Sequence, residues 1–400
     1  MLLAKNWKDY ELLDCGNGEK LERWGNVILL RPDPQIIWNN TNLLEKYNNI
    51  DAVYHRSNKG GGYWENLKNP PKSWKINYKN LVFNIKQMGF KHTGLFPEQA
   101  VNWDFIIDKI SNAGRNIKML NLFGYTGAAS VAALSAGASV VHVDSSRGMV
   151  DWCKENVKSS GFESRPIRYI VDDVVKFVKR EIRRGNKYDA IIMDPPSYGR
   201  GANGEVWDIE KDLYNLVELC SELLTEEPLF VIINTYTTGL SKEVFTNVLK
   251  STIGKNHTGK IYSEEIAIPI KNSDSVLPCG VCSIIMNKLN VLYEDNHIIV
   301  AVKPANIPSQ ADISGDIDML TMVKEYVKKK YNKPGNVYIG LVQRLDRPVS
   351  GIMVFARTSK AASRLTNEIK EHKVKKTYLA VVRGLFNKKN GSLVNYIVKQ

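Results

Sequence analysis

The stretch Met119-Leu-Asn-Leu-Phe-Gly-Tyr-Thr-Gly-Ala128 constrains this chain more than any other. The apolar run from Ile117 to Phe123 reads as a buried strand. It breaks at Gly124-Tyr125-Thr126-Gly127, and the small-residue run Ala128–Ala136 then reads as a helix. Strand, glycine turn and helix make a nucleotide-binding βαβ unit, because glycine lets backbone approach a ligand and accepts positive φ. A second apolar run, Ala138–Val143, ends in Asp144, twenty residues past Gly124. That spacing places an acid to accept hydrogen bonds from ribose hydroxyls. A purely structural turn accounts for two glycines equally well.

A second motif separates the two readings. Tyr188-Asp-Ala-Ile-Ile-Met193 reads as another buried strand, ending in Asp194-Pro-Pro-Ser-Tyr198. Ligands of open α/β sheets lie at the carboxyl ends of strands, so Asp194 shares an edge with Gly124 and Asp144. Pro195 and Pro196 fix a rigid turn without N–H donors, leaving nearby carbonyls to face a substrate. Tyr198 is suited to stack on a planar base. Together these residues resemble the class I S-adenosylmethionine-dependent methyltransferases of the bacterial ribosomal-RNA type, over residues 1–285. Lys91-His-Thr-Gly-Leu-Phe-Pro-Glu-Gln99 and Leu277-Pro-Cys-Gly280 fit the same family. The resemblance implies S-adenosylmethionine as cofactor, held by Thr93, Phe123, Gly124, Tyr125, Thr126, Gly127, Asp144, Ser145 and Asp194. A dehydrogenase shares the first βαβ unit but gives no reason for Asp-Pro-Pro.

Composition sets the bounds. Four hundred residues suggest two or three domains. No apolar run reaches membrane-spanning length, and Met1-Leu-Leu-Ala-Lys5 is too short an apolar start for a signal peptide, so a cytoplasmic protein is expected. The five cysteines, an odd and sparse set, argue for a reducing compartment. Cys279-Gly-Val-Cys282 stands without a second pair, so no metal is expected. Charge is uneven: residues 321–400 carry 18 Lys and Arg against 4 Asp and Glu, so the whole positive excess of +13 lies in the last fifth. A polyanionic partner, RNA, fits that asymmetry, as does a solvated basic face.

The fold expected is α/β. Residues 1–80 alternate apolar runs with turn signals such as Gly60-Gly-Gly62 and read as a small β-rich domain. Trp24, Arg31, Trp38, Tyr54, Arg56 and Trp64 suit stacking on nucleic acid, or ordinary packing. Residues 81–286 read as a Rossmann-like methyltransferase sheet closed by an antiparallel pair. Its third strand, Pro166–Val171, ends in Asp172-Asp173, where a carboxylate can accept from an adenine amino group. The resemblance favours Asp173 over Asp172. Methylation of cytosine carbon-5 needs a cysteine nucleophile. Neither Asp194–Tyr198 nor Asn234-Thr-Tyr-Thr-Thr238 contains one, and Cys153 and Cys220 fall on helices, so a base nitrogen is the expected target.

Residues 287–400 form a separate module. Gly340-Leu-Val-Gln-Arg-Leu-Asp-Arg-Pro-Val-Ser-Gly351 places Asp346 between Arg344 and Arg347. The arginines are expected to keep Asp346 ionised, as nucleophile or base, and to hold phosphates or fill the gap of a flipped base. With Lys303-Pro304 and Lys375-Lys-Thr-Tyr378, this stretch resembles the RluA-like pseudouridine synthases. The resemblance implies that Asp346 is catalytic, that Tyr378 lies against uracil and that Lys376 contacts RNA. Gln343 departs from the family's usual histidine. Family domains continue well past the 54 residues after Asp346, so a partial α+β module is expected, binding RNA but isomerising uridine slowly or not at all. Two rivals remain: the basic tail only delivers the methyltransferase to RNA, or the methyltransferase acts on a small molecule.

Overall fold

The computed structural model describes residues 1–57, 61–200, 204–236, 239–257, 259–286, 289–313, 318–380, 384 and 391. Gly60, Thr237, Thr238 and Asn287 lie outside them. The chain forms two compact units, Met1–Asn290 and Val291–Gln400.

The first unit is built on an eight-stranded sheet. Lys118–Leu122 pairs in parallel with Ser139–Asp144 on one side and with Ala190–Met193 on the other. Ile167–Val171 continues the sheet beyond Ser139–Asp144, and Phe230–Thr235 beyond Ala190–Met193. Val276–Met286 and Lys260–Pro269 then add the antiparallel pair expected from the sequence, with Leu2–Leu3 at the edge. Parallel strands covered on both faces must be apolar throughout. Met119, Ala190 and Ile232 accordingly face one core, while Leu120, Leu122, Ile191 and Ile233 face the other.

The strand order reverses beside Lys118–Leu122, since the chain leaves it first toward Ser139–Asp144 and later toward Ala190–Met193. Such a switch point opens a crevice at the carboxyl ends of the strands. The glycine turn sits there, but its conformation differs from the simple expectation. Positive φ occurs at Phe123 (53°), Tyr125 (51°) and Gly127 (82°), not at Gly124. Gly124 is required for space: a Cβ there would lie 2.4 Å from the His142 ring. Gly127 meets both demands, since its Cβ would lie 2.1 Å from Cys153 Sγ.

The segment before residue 80 forms a five-stranded sheet, from Tyr10–Gly16 to Gly62–Asn66, and a hairpin, Ser73–Tyr78 with Leu81–Lys86. Its core is continuous with the large sheet: Trp24, Leu29, Ile76 and Phe83 join one cluster with Trp103 and Met119. Trp24, Arg31 and Tyr54 are buried, so of the two readings ordinary packing holds for them. Arg31 is buried because it pairs bidentately with Glu22 at 2.6 and 2.8 Å, while Tyr10 donates to the same carboxylate at 2.8 Å. Trp64 is half-buried; Trp38 and Arg56 reach solvent.

In the second unit, Ile298–Lys303 pairs with Gly351–Ala356, which also pairs with Gly340–Leu341. Asn290–Glu294 completes a four-stranded sheet, and helices Met319–Lys330 and Ser359–Lys370 belong to the same module.

Gly127→Ala is expected to destabilise the chain by about 2–4 kcal/mol, combining left-handed strain with the clash at Cys153. Thermal or denaturant unfolding checks this. Adding Cys153→Ala should recover part of the loss but not the backbone strain.

Candidate active site

The crevice at the switch point is a small cavity of about 40 Å³. Phe96 and Gln99 wall it on one side, and the turn from Phe123 to Ala129 on another. Asp194 and Asn234 stand at the ends of their strands and complete it. The sequence brought Asp194, Phe123, Gly124, Tyr125, Thr126 and Gly127 to this place. Thr93 is fully buried, and its Oγ1 has no partner.

Asp144 braces the turn. Its Oδ2 accepts from Tyr125 N at 2.9 Å and its Oδ1 from Ser146 N at 2.8 Å. Each oxygen keeps a second lone pair, so the carboxylate still has acceptors for ribose hydroxyls. Burial nonetheless raises its pKa, against those two hydrogen bonds. Ser145 beside it is exposed. Asp172 has both oxygens engaged, one by Asp173 N at 2.9 Å and one by Arg180 at 2.5 Å. Asp173 caps the next helix through one oxygen, which accepts from Lys176 N at 2.8 Å. The geometry therefore leaves more of Asp173 uncommitted than of Asp172.

Asp194 is the chemical centre of the crevice. Its Oδ1 is sealed from solvent and has no hydrogen-bond partner. Burial pushes its carboxyl up to about 8, the nearby Glu98 carboxylate adds to this, and a hydrogen bond from Tyr236 opposes it. Glu98 itself is buried and raised to about 7, for the same reason of lost hydration. Pro195 is buried, and the carbonyl of Pro196 accepts from Trp207 Nε1 at 2.7 Å, which commits one of its two lone pairs within the protein. The indole is anchored by Phe123, 5.0 Å away between ring centroids. Tyr198 is 56% exposed on the hairpin Tyr198–Arg200 with Val206–Asp208.

Residues that sequence reasoning left out tie the crevice together. Gln99 Nε2 donates to Tyr236 Oη at 2.6 Å, while Asn102 Nδ2 donates to both Gln99 Oε1 and Asn234 Oδ1 at 2.8 Å. A signal for them exists: Asn102 interrupts the apolar face of helix Ala100–Ser111, and Asn234 ends an apolar strand on the edge that carries Asp194.

A solved S-adenosylmethionine-dependent methyltransferase from Agrobacterium tumefaciens is 35% identical to this chain, with a TM-score of 0.68. The match covers 72% of this chain and 93% of that one. This chain belongs to the S-adenosylmethionine-dependent methyltransferases. That family's model matches residues 52–243, and the model for RNA pseudouridylate synthases matches residues 297–400. A solved methyltransferase from Streptococcus mutans, 20% identical with a TM-score of 0.57 and matched over 70% of this chain and 76% of its own, shares the fold. Two curated relatives carry the name ribosomal RNA large subunit methyltransferase K/L. The protein of Syntrophotalea carbinolica is 28% identical over 47% of this chain and 26% of its own length. That of Shewanella frigidimarina is 34% identical over 35% of this chain and 20% of its own. The match thus spans about a fifth to a quarter of the length of these curated relatives. S-adenosylmethionine suits the methyltransferase crevice, since an orphaned carboxylate oxygen at Asp194 meets a ligand that carries positive sulfur.

In the second unit the Asp346 loop is held from beneath. Lys303 is fully buried, and its ammonium donates to the carbonyls of Pro304, Ile307 and Arg347 at 3.0, 2.6 and 3.0 Å. Ser309 Oγ donates to Leu345 O at 2.6 Å and accepts from Leu345 N at 3.0 Å. Asp346 itself is exposed and forms no ion pair with Arg344 or Arg347, and its charge acts on the buried Lys303. Arg347 instead reaches Asp312 at 3.4 Å. Lys376 and Tyr378 lie exposed in an irregular segment.

The raised Asp194 pKa has a measurable consequence. Below about 8 the carboxyl is protonated in the free crevice, and a bound sulfonium favours the ionised form. S-adenosylmethionine binding is therefore expected to release a proton and to tighten as pH rises from about 6.5 to 8.5, by at most about tenfold per unit. Calorimetry checks this. The slope should vanish for Asp194→Asn, and be smaller for S-adenosylhomocysteine, whose sulfur is neutral.

Proposed function

We propose that this chain transfers a methyl group from S-adenosylmethionine to a base nitrogen of RNA, with ribosomal RNA as the substrate. One observation carries the nitrogen assignment: the crevice presents the Asp194 oxygen and no thiol. All five cysteines are buried and free. Burial raises the thiol pKa of Cys153, Cys220, Cys279 and Cys282, and Cys282 spends its proton on Asn102 Oδ1 at 3.1 Å. Carbon-5 methylation needs a thiolate to activate the ring, whereas nitrogen brings its own lone pair. The cofactor, when bound, supplies an electrophilic methyl group on a cationic sulfur. The protein then has to align the nitrogen with that methyl group and exclude water, which is catalysis by orientation. Asp194 Oδ1 is placed to orient the incoming base and to hold any proton released.

The curated relatives named for ribosomal RNA support the substrate, and the positive excess of residues 321–400 supports a polyanionic partner. The second unit fits the same picture, as an RNA-handling module with Asp346 as its candidate catalytic carboxylate. Among the described residues no helix is long and apolar enough to cross a membrane, and no cluster of three His, Cys, Asp or Glu gathers to hold a metal ion. We place the protein in the cytoplasm with its RNA.

Incubated with tritiated S-adenosylmethionine and unmodified ribosomal RNA, the protein is expected to label a base nitrogen, read by mass spectrometry of nucleosides. Asp194→Ala should reduce transfer by about 100-fold or more, on the scale of a lost transition-state contact. RNA carrying 5-fluorocytosine should not be trapped covalently; an adduct that survives denaturation would refute the nitrogen assignment.

The basic tail gives a separate test. The affinity of the full chain for RNA should fall steeply with salt, and the slope should be shallower for residues 1–290 alone, as phosphate contacts are lost. Equal slopes would leave the tail without a role in binding.

A further inference from the structure

The polar side chains behind the crevice form a directed chain of hydrogen bonds. The Tyr236 oxygen accepts from Gln99 Nε2 at 2.6 Å. Gln99 therefore turns its carbonyl toward Asn102, whose Nδ2 donates to it at 2.8 Å. The same Nδ2 donates at 2.8 Å to Asn234 Oδ1, and Cys282 Sγ closes the other side of Asn102 at 3.1 Å. These bonds turn the Asn234 amide so that its Oδ1 meets Asn102 and its Nδ2 is left over.

This leaves two unsatisfied atoms on the crevice wall. Asp194 Oδ1 is an acceptor without a donor, and Asn234 Nδ2 is a donor without an acceptor. Both residues line the crevice, and Asn234 is only 1% exposed. A buried amide N–H without a partner costs about 1–3 kcal/mol, so a fold that keeps one in a ligand cleft keeps it for a ligand.

We propose that Asn234 is a specificity residue, whose Nδ2 donates to the acceptor atom beside the base nitrogen that is methylated. This rests on the reading of the chain as an RNA base methyltransferase. Asp194 and Asn234 then hold neighbouring positions on one edge of the base, and the transferred methyl group enters between them and the cofactor. Such an edge, a nitrogen next to an oxygen or second ring nitrogen, occurs on nucleobases. The carbon-5 side of a pyrimidine does not offer it. Gln99, Asn102 and Tyr236 act as positioning residues, since they fix the direction of both groups without needing to touch the base.

The test separates base recognition from cofactor binding. Asn234→Ala and the isosteric Asn234→Asp are compared with the wild type for S-adenosylmethionine affinity by calorimetry, and for methyl transfer to unmodified ribosomal RNA. Asn234→Asp keeps the acceptor that Asn102 needs and, assayed above about pH 8 so that the carboxyl ionises, replaces the free donor with an acceptor. Asn234→Ala should melt below the wild type, since it takes the acceptor from Asn102, and Asn234→Asp nearer to it; both should bind S-adenosylmethionine within about twofold, while kcat/KM for RNA falls by about 100-fold or more. Cofactor affinity lost in step with transfer would overturn the proposal by assigning Asn234 to the cofactor. Unchanged transfer in Asn234→Asp would overturn it outright, as would a product methylated at carbon or ribose oxygen. Wild-type protein that labels no ribosomal RNA would defeat the underlying reading, before any variant is compared.

Discussion

The burial of one strand, Lys118–Leu122, on both faces and both edges sets the rest of the first unit. Met119, Leu120 and Leu122 are fully buried, and truncating one such leucine to alanine costs about 2–5 kcal/mol. Because neighbours pair on both sides, the chain must leave the strand in opposite directions, and the crevice opens where it does. Asn121 in mid-strand is tolerated because its Nδ2 donates to Ser130 Oγ at 2.9 Å, which in turn contacts His142 Nδ1 at 3.1 Å. The same His142 ring is the surface that forbids a side chain at Gly124. Core and ligand turn are therefore one packing problem.

The active site extends this logic to polar groups. Helix Ala100–Ser111 buries Trp103, Ile106 and Ile110 against the sheet, and that docking carries Asn102 to the end of strand Phe230–Thr235. Apolar burial thus supplies the free energy, and the amides borrow its rigidity to fix direction. The raised pKa of Asp194 belongs to the same design, since the low-polarity setting that disfavours its charge also strengthens its interaction with a cation. The second unit shows a parallel device. Buried Lys303 satisfies three carbonyls and so holds the backbone of the loop that displays Asp346.

Much of this was legible in the residues, because local chemistry dictated it. The apolar run to Phe123, the glycine break and the carboxylates at strand ends specify a strand–turn–helix edge wherever they occur. The Asp-Pro-Pro turn and the Arg-Leu-Asp-Arg element mark two separate chemistries, and matches to two family models bear this out. The absence of a cysteine near Asp194 is likewise a fact of sequence.

What the fold decided were matters of distance between segments far apart in the chain. No local pattern says that Trp207 takes the Pro196 carbonyl, or that Arg31 and Trp24 turn inward to meet Glu22 and the core. Arg344 and Arg347 flank Asp346 in sequence, yet neither forms an ion pair with it, and Arg347 reaches Asp312 instead. The alignment of Gln99, Asn102, Asn234 and Tyr236 joins residues up to 137 positions apart. Amino-acid type fixes which groups can donate or accept; only packing fixes which of them are left over at a cleft, and that remainder is what reads a substrate.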